Sequence, residues 1–547
     1  MKLDQKPWRL GLLAAGGILT GLCLVFPVLG VLEWVSMIPA GLVILRLLAD
    51  PSVRLRRIYG YGLFFFMSFY LTVFHWFLSM YPLEFAGATK GETAVVVLVA
   101  WMGLSLVQAV GGAFIFVLGG FLFRSSLAER YPILRPFGFG VIWAVYEWTQ
   151  NFGWWGVPWG RLPLGQSGFL VGMQTASLFG SYFITFLLVS VNLLLAYIFL
   201  EAWKRKGASL RDLVPRGAIL AVVLMLVFQY GAGAVLYLRE PAESESRTLR
   251  VAAVQGNISS KWKDPDATAK ARRIYGDGTR KAAEQGARLV VWPETAATSV
   301  IVEHADNGWY EFCSQLAVET NTTILVGGFT PAPEKEYNSV LCFLPDGSLH
   351  ETVYHKRKLV PFGEFVPMGE LIETLIPPLA ELVLSGADLE QGNEPNTVTL
   401  KEGCVGSLIC FDSIYDRFTR SSVLEGAELL CLSTNDSWFG DSRALYMHNA
   451  QAKLRAVESG RSVIRSANTG LTTLIDEKGR TVEEIPIQKE GLLVVDAVLS
   501  SEMTLYTRIG NLFVFVGIGS LGAWMIWELF REIHKKFKKT LDKPVEK

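Results

Sequence analysis

Eight long apolar runs, seven before residue 239 and one after residue 507, constrain what this chain can fold into. Hydrocarbon offers a backbone no hydrogen-bond partner, so a run of roughly 20 apolar residues that crosses a bilayer must be helical. The runs lie at 10–29, 31–49, 58–80, 93–123, 133–150, 169–200, 217–238 and 508–530. They predict a multi-span α-helical membrane bundle of about eight transmembrane helices. The implied division is 1–238 as a seven-span membrane domain, 239–507 as a block outside the membrane, and 508–547 as a final span with a basic tail. Lys2, Lys6 and Arg9 precede the first run, and a second run follows at once. That pattern predicts an uncleaved span rather than a signal peptide.

Basic residues mark the cytoplasmic side of a membrane protein. They collect at every second loop: Arg54, Arg56 and Arg57; Arg124 and Arg130; Lys204, Arg205, Lys206, Arg211 and Arg216; then Arg531, Lys535, Lys536, Lys538 and Lys539. The alternation predicts both termini in the cytoplasm and residues 239–507 on the outer face, the periplasm or its equivalent.

Within 248–500 the pattern changes. TLRVAAVQ (248–255), ARLVVW (287–292), TTILVGGF (322–329), SVLCFL (339–344), VGSLIC (405–410) and ELLCLST (428–434) read as buried strands. Residues 266–286, 307–320, 415–425 and 444–460 read as helices, so an α/β layered domain is expected. Residues 472–480 read as a strand and turn, and 491–498 as a closing strand. Net charge is zero, which argues against nucleic acid as a partner. Six scattered cysteines without a C-x-x-C pair exclude a disulfide scaffold or zinc ribbon, and no metal or cofactor is expected. Nothing in the pattern requires more than a monomer.

Three stretches carry chemistry: VVWPETA (290–296), YHKRKLVPFGEFVP (354–367) and SLICFDSIY (407–415). Cys410 ends a predicted strand, where α/β sheets present residues to ligand, although a cysteine in a strand is more often structural. Glu294 follows a strand and a proline, as a general base on a rigid element would, or as a capping acid would. Lys356 stands in a basic cluster whose Arg357 reads as solvated. Glu364, between aromatic residues, reads as salt-bridged or desolvated.

Together, WPE, HKRKLVPFGE and ICFD resemble the carbon–nitrogen hydrolase (nitrilase) superfamily. The resemblance implies a four-layer αββα sandwich with Glu294 as base, Lys356 as oxyanion stabiliser and Cys410 as nucleophile. LVPFGEFVP (359–367), QGNISSKWKDP (255–265), GVPWGRLPLGQS (156–167) and MQTASLFGSYFITFLLVSVN (173–192) further resemble the apolipoprotein N-acyltransferase family of bacterial inner membranes. That implies transfer of a fatty acyl chain from a membrane phospholipid to the α-amino group of a diacylglyceryl-cysteine on an apolipoprotein. It also implies Glu364 as a supporting carboxylate and Trp262 near the mouth of the site. Phe411 and Asp412 stand where many members carry Tyr and Glu, and they and Trp438 are expected near substrate. Residues 368–385, MGELIETLIPPLAELVLS, could form an apolar lid or a core helix broken by Pro377 and Pro378. Glu147, His75 and Arg161, at membrane depth, read either as functional groups or as interfacial side chains. The rival reading is a membrane-tethered amidase or nitrilase-type hydrolase that releases a free acid.

Overall fold

The computed structural model describes residues 5–82, 89–204, 215–239, 247–258, 266–369, 374 and 389–541. Trp262 and nearly all of the expected lid at 368–385 lie outside these residues. The chain forms two compact units: Met1–Val73, Gly103–Gly233 and Ile509–Lys547 in one, Phe74–Met102 and Ala234–Arg508 in the other.

In the first unit the helices are long and apolar. Across the chain, six helices among the described residues have the length and hydropathy to cross a bilayer: Lys6–Val25, Pro27–Leu47, Lys90–Phe123, Ser181–Lys204, Arg216–Leu238 and Leu512–Lys538. The other two expected spans take other forms. The run at 58–80 is a helix only over Leu55–Val73 and then tightens into a 3₁₀ turn, His75–Met80, that belongs to the second unit. The run at 133–150 forms a helix of 16 residues, Leu134–Thr149. The run at 169–200 becomes a long helix only from Ser181, because Gly180 takes a left-handed φ of 79° that ends the preceding turn. Small residues let the first helix pack closely. A Cβ at Gly17 would lie 2.7 Å from the Phe65 carbonyl oxygen.

The second unit holds two sheets. One runs in the order Gly491–Leu499, Arg247–Gln255, Leu289–Val291, Thr323–Pro331, Glu336–Phe343, Tyr354–His355, with Leu389–Glu390 also beside Glu336–Phe343. The other runs Thr481–Ile485, Thr472–Ile475, Ser462–Ala467, Leu429–Thr434, Cys404–Ile409, Thr397–Thr399. Each has a parallel trio at its centre. Side chains alternate across a strand. Leu249, Val251 and Ala253 therefore face Val405, Ile409, Leu429 and Ile464 in the core shared by both sheets. Ala252 and Val254 turn the other way, onto Ile274 and Tyr275 of the helix Ala267–Glu284. Helices Asp416–Leu424 and Arg443–Ser459 pack on the second sheet. The layers are thus helix, sheet, sheet, helix.

Candidate active site

Parallel strands place their carboxyl ends together, where α/β folds form clefts. Glu294 lies just beyond the strand Leu289–Val291, and Cys410 just beyond Cys404–Ile409. Gly327 makes room on the neighbouring strand, since a Cβ there would strike the Pro293 carbonyl oxygen at 2.1 Å. Lys356 follows the strand Tyr354–His355 and is 1% exposed.

The lysine joins the two carboxylates. Its Nζ donates to Glu294 Oε1 at 2.8 Å and to Glu364 Oε1 at 2.7 Å. Asn338 Nδ2 also bridges them, at 2.8 Å and 3.2 Å. Glu294 Oε2 accepts from the Asn435 backbone N–H at 2.8 Å, and Glu364 Oε2 from that of Val360 at 2.9 Å. A carboxylate offers about four acceptor sites. Glu294 has three bonds among the described residues, which leaves room for one more proton donor. Burial alone would lower the Lys356 pKa, but the carboxylates outweigh it and hold the ammonium well above its usual value.

Cys410 is partly buried and opens a 3₁₀ turn with a left-handed φ of 45°. Burial pushes its thiol well above the usual value, and the Glu294 charge pushes further. Lys356 opposes both without reversing the shift, so the resting group is a thiol, not a thiolate.

Asp412, in the same turn, is fully buried. Its Oδ2 accepts from Tyr354 Oη at 2.7 Å and from the Ile409 backbone N–H at 3.2 Å, bracing the strand end that carries Cys410. Burial raises its carboxyl to about 6, with Arg357 and Lys356 restraining the rise. Phe411 is also buried, edge-on to Tyr415 with ring centres 5.5 Å apart. Trp438 is exposed, in the turn Ser437–Phe439. Arg357 is not solvated as expected. It is buried, donating to Ser421 Oγ at 2.8 Å and to the Phe418 carbonyl at 2.9 Å, with its guanidinium on the Phe418 ring.

Residues 250–504 match the carbon–nitrogen hydrolase family, and residues 16–194 match the apolipoprotein N-acyltransferase N-terminal domain. The chain is 30% identical over 514 residues to the apolipoprotein N-acyltransferase of Gloeobacter violaceus, covering 92% of this chain and 91% of that protein. It is 30% identical over 526 residues to that of Geobacter metallireducens, covering 94% of each. The chain belongs to the apolipoprotein N-acyltransferase family. Among solved structures it is similar to Nit3 of Saccharomyces cerevisiae, a nitrilase-superfamily member, at 21% identity and a TM-score of 0.37, covering 47% of this chain and 93% of that one.

The sequence reading did not single out Asn338, Asn435, Asp436, His448 or Arg465. Asn338 had one visible signal, a polar residue at the head of the apolar run SVLCFL. Cys410, Asp436 and His448 offer atoms within 4.8 Å of one another, a spacing that a metal ion could use. Asp436 is already bonded to Arg465, His448 and Thr434, so most of its acceptor capacity is taken by protein donors.

Proposed function

We propose that this chain moves a fatty acyl chain from a membrane phospholipid, through a thioester on Cys410, to the α-amino group of an N-terminal diacylglyceryl-cysteine on an apolipoprotein. Family membership supports the acyltransferase activity. The observation that carries the mechanism is the buried lysine held between Glu294 and Glu364, close enough to Cys410 that both Lys356 and Glu294 act on its thiol.

Because the resting sulfur is protonated, proton removal accompanies attack. Glu294 takes the Cys410 proton at its remaining acceptor site as sulfur bonds to the ester carbonyl carbon. Lys356 stabilises the resulting oxyanion, with charge already in place and no solvent to reorganise. The C–O bond breaks, and Glu294 returns the proton to the departing lysophospholipid oxygen. The lipoprotein amine then attacks the thioester, Glu294 accepts an amine proton, and that proton passes to the leaving sulfur. An amide and the original thiol result, with ping-pong kinetics. Glu364, Asn338 and the Asn435 backbone keep Lys356 and Glu294 oriented. Trp438 and Trp262 are proposed to border the acyl channel.

Charge distribution supports placing 239–507 on the outer face of a bacterial inner membrane, with both termini cytoplasmic. The protein is proposed to act as a monomer without cofactor.

The test is to incubate purified protein with a phospholipid carrying a labelled acyl chain, without acceptor, and weigh the intact protein. A hydroxylamine-sensitive adduct absent from Cys410→Ala is expected. A chase with diacylglyceryl lipopeptide should move the label to its amine. Label released only as free fatty acid would establish the hydrolase reading instead.

A further inference from the structure

We propose that His448 is a positioning residue for Cys410: anchored by Asp436, its imidazole holds the Cys410 carbonyl and with it the left-handed backbone that aims the sulfur. This rests on the assignment of Cys410 as nucleophile. A non-glycine residue at φ 45° is strained and persists only where its surroundings hold it. Here the restraint falls on the carbonyl. Ser413 Oγ donates to Cys410 O at 2.7 Å, and His448 Nε2 lies 3.2 Å from the same oxygen and 3.2 Å from Ser413 Oγ.

The imidazole is itself clamped. His448 is 1% exposed on the helix Arg443–Ser459, and its Nδ1 lies 2.9 Å from Asp436 Oδ1. Burial would raise the Asp436 carboxyl, but Arg465 and His448 outweigh it and hold it well below the usual carboxylate range. An ionised carboxylate and a carbonyl oxygen both only accept, so the ring holds the two together with a hydrogen on each nitrogen, Nδ1 toward Asp436 and Nε2 toward the Cys410 carbonyl. Asp436 also accepts from Thr434 Oγ1 at 2.9 Å and from Arg465 Nη2. Nor can it shift toward Gly470, where even a Cβ would lie 2.1 Å from Oδ2. From outside, the Phe439 ring stands edge-on to the imidazole at 6.2 Å, and Trp76 stands edge-on to Phe439 at 5.0 Å. The ring is therefore fixed on the Asp436 side, and its Nε2 edge is directed at one peptide group, that of the nucleophile.

Three variants separate positioning from packing. In His448→Asn the amide reaches only as far as Nδ1, keeping the Asp436 contact and losing the Cys410 carbonyl. In His448→Gln the amide reaches the Nε2 position. His448→Ala removes both. The readout is single-turnover acylation of Cys410 by labelled phospholipid in the full-length protein, with thermal unfolding as a check on folding. His448→Ala and His448→Asn are expected to slow acylation roughly 10²-fold while KM for phospholipid moves less than about threefold. His448→Gln should recover about tenfold or more over His448→Asn, since the loss is geometric. Equal rates for the Asn and Gln variants, unchanged rates in all three, or a loss confined to KM would overturn the proposal. If the His448 variants do not fold, Ser413→Ala carries the test by removing the other bond to the same carbonyl. A roughly tenfold slower acylation supports the inference, and an unchanged rate overturns it. A wild-type protein that forms no adduct, or an adduct that survives Cys410→Ala, would instead remove the assignment of Cys410.

Discussion

Two buried polar clusters, one in each compact unit, differ in what stands beside them. In the membrane unit Glu147 is 1% exposed and accepts from Trp143 Nε1 at 3.2 Å, the Leu162 backbone N–H at 3.1 Å and Thr185 Oγ1 at 2.5 Å. Arg161 is fully buried, donating to Asn151 Oδ1 at 2.7 Å with its guanidinium on the Tyr182 ring. These bonds tie the helix Leu134–Thr149 to Ser181–Lys204 and to the turn at Leu162. In the catalytic unit Lys356 and Glu294 are also buried, but beside them stands a partly buried cysteine on a left-handed backbone. What distinguishes the second cluster is a lysine–carboxylate ion pair beside the cysteine proposed as nucleophile.

The largest effects should come from that cluster. Glu294→Gln removes the proposed base, and the acylation rate is expected to fall about 10²–10⁴-fold in the labelled-phospholipid assay. The same variant removes a negative charge from beside the thiol, so the pH midpoint of Cys410 alkylation should move down even as catalysis is lost. A midpoint that moves up would show that Glu294 does not act on this sulfur. Next, Lys356→Met leaves the buried Glu294 and the part-buried Glu364 without their cation. That should cost about 3–5 kcal/mol in denaturant unfolding. Lys356→Met with Glu364→Gln should recover part of the stability and none of the activity.

Glu147→Gln sharpens the comparison from the other side. It is expected to cost about 1–3 kcal/mol of stability through mismatched hydrogen bonds, leaving acylation by the folded protein nearly unchanged. A dead but folded Glu147→Gln would erase the distinction between the clusters.

The smallest effect concerns Lys358, two residues from Lys356 and also buried. Burial lowers its pKa to about 8, and Arg417 adds to the shift where Lys356 has carboxylates. Between about pH 8 and its unfolded value near 10.4, the unfolded chain binds more protons. Stability from this group is therefore complete above that window and lost as pH falls through 8. Lys358→Met should remove a slope of at most about 1.4 kcal/mol per pH unit across it. Unfolding free energies at pH 7.5, 9 and 10.5 would measure the slope, and identical slopes in both proteins would exclude it.

Much of this was legible in the chain. The four helices expected in the catalytic unit appear within a few residues of their predicted ends, and so do the strands carrying Glu294 and Cys410. Their apolar periodicity survives any tertiary arrangement. The strand Ser462–Ala467 was not read, because Arg465 interrupts its apolar run. That arginine is tolerated only because Asp436, from the next strand's end, meets it in the folded protein. Arg357 looked solvated for the same reason, since its acceptors lie 61 and 64 residues away in the chain. The membrane half was legible as apolar runs but not as spans of set length. Breaks such as Gly180 depend on backbone angles that hydropathy does not record.

By itself, then, the sequence determined where apolar faces and turn residues fall, and it placed Glu294 and Cys410 at strand ends and Lys356 in a basic cluster. Only the tertiary structure decided which charges meet. Electrostatic partners are chosen by distance in space, at a few ångströms in a desolvated cleft, and chain spacing carries no record of that distance.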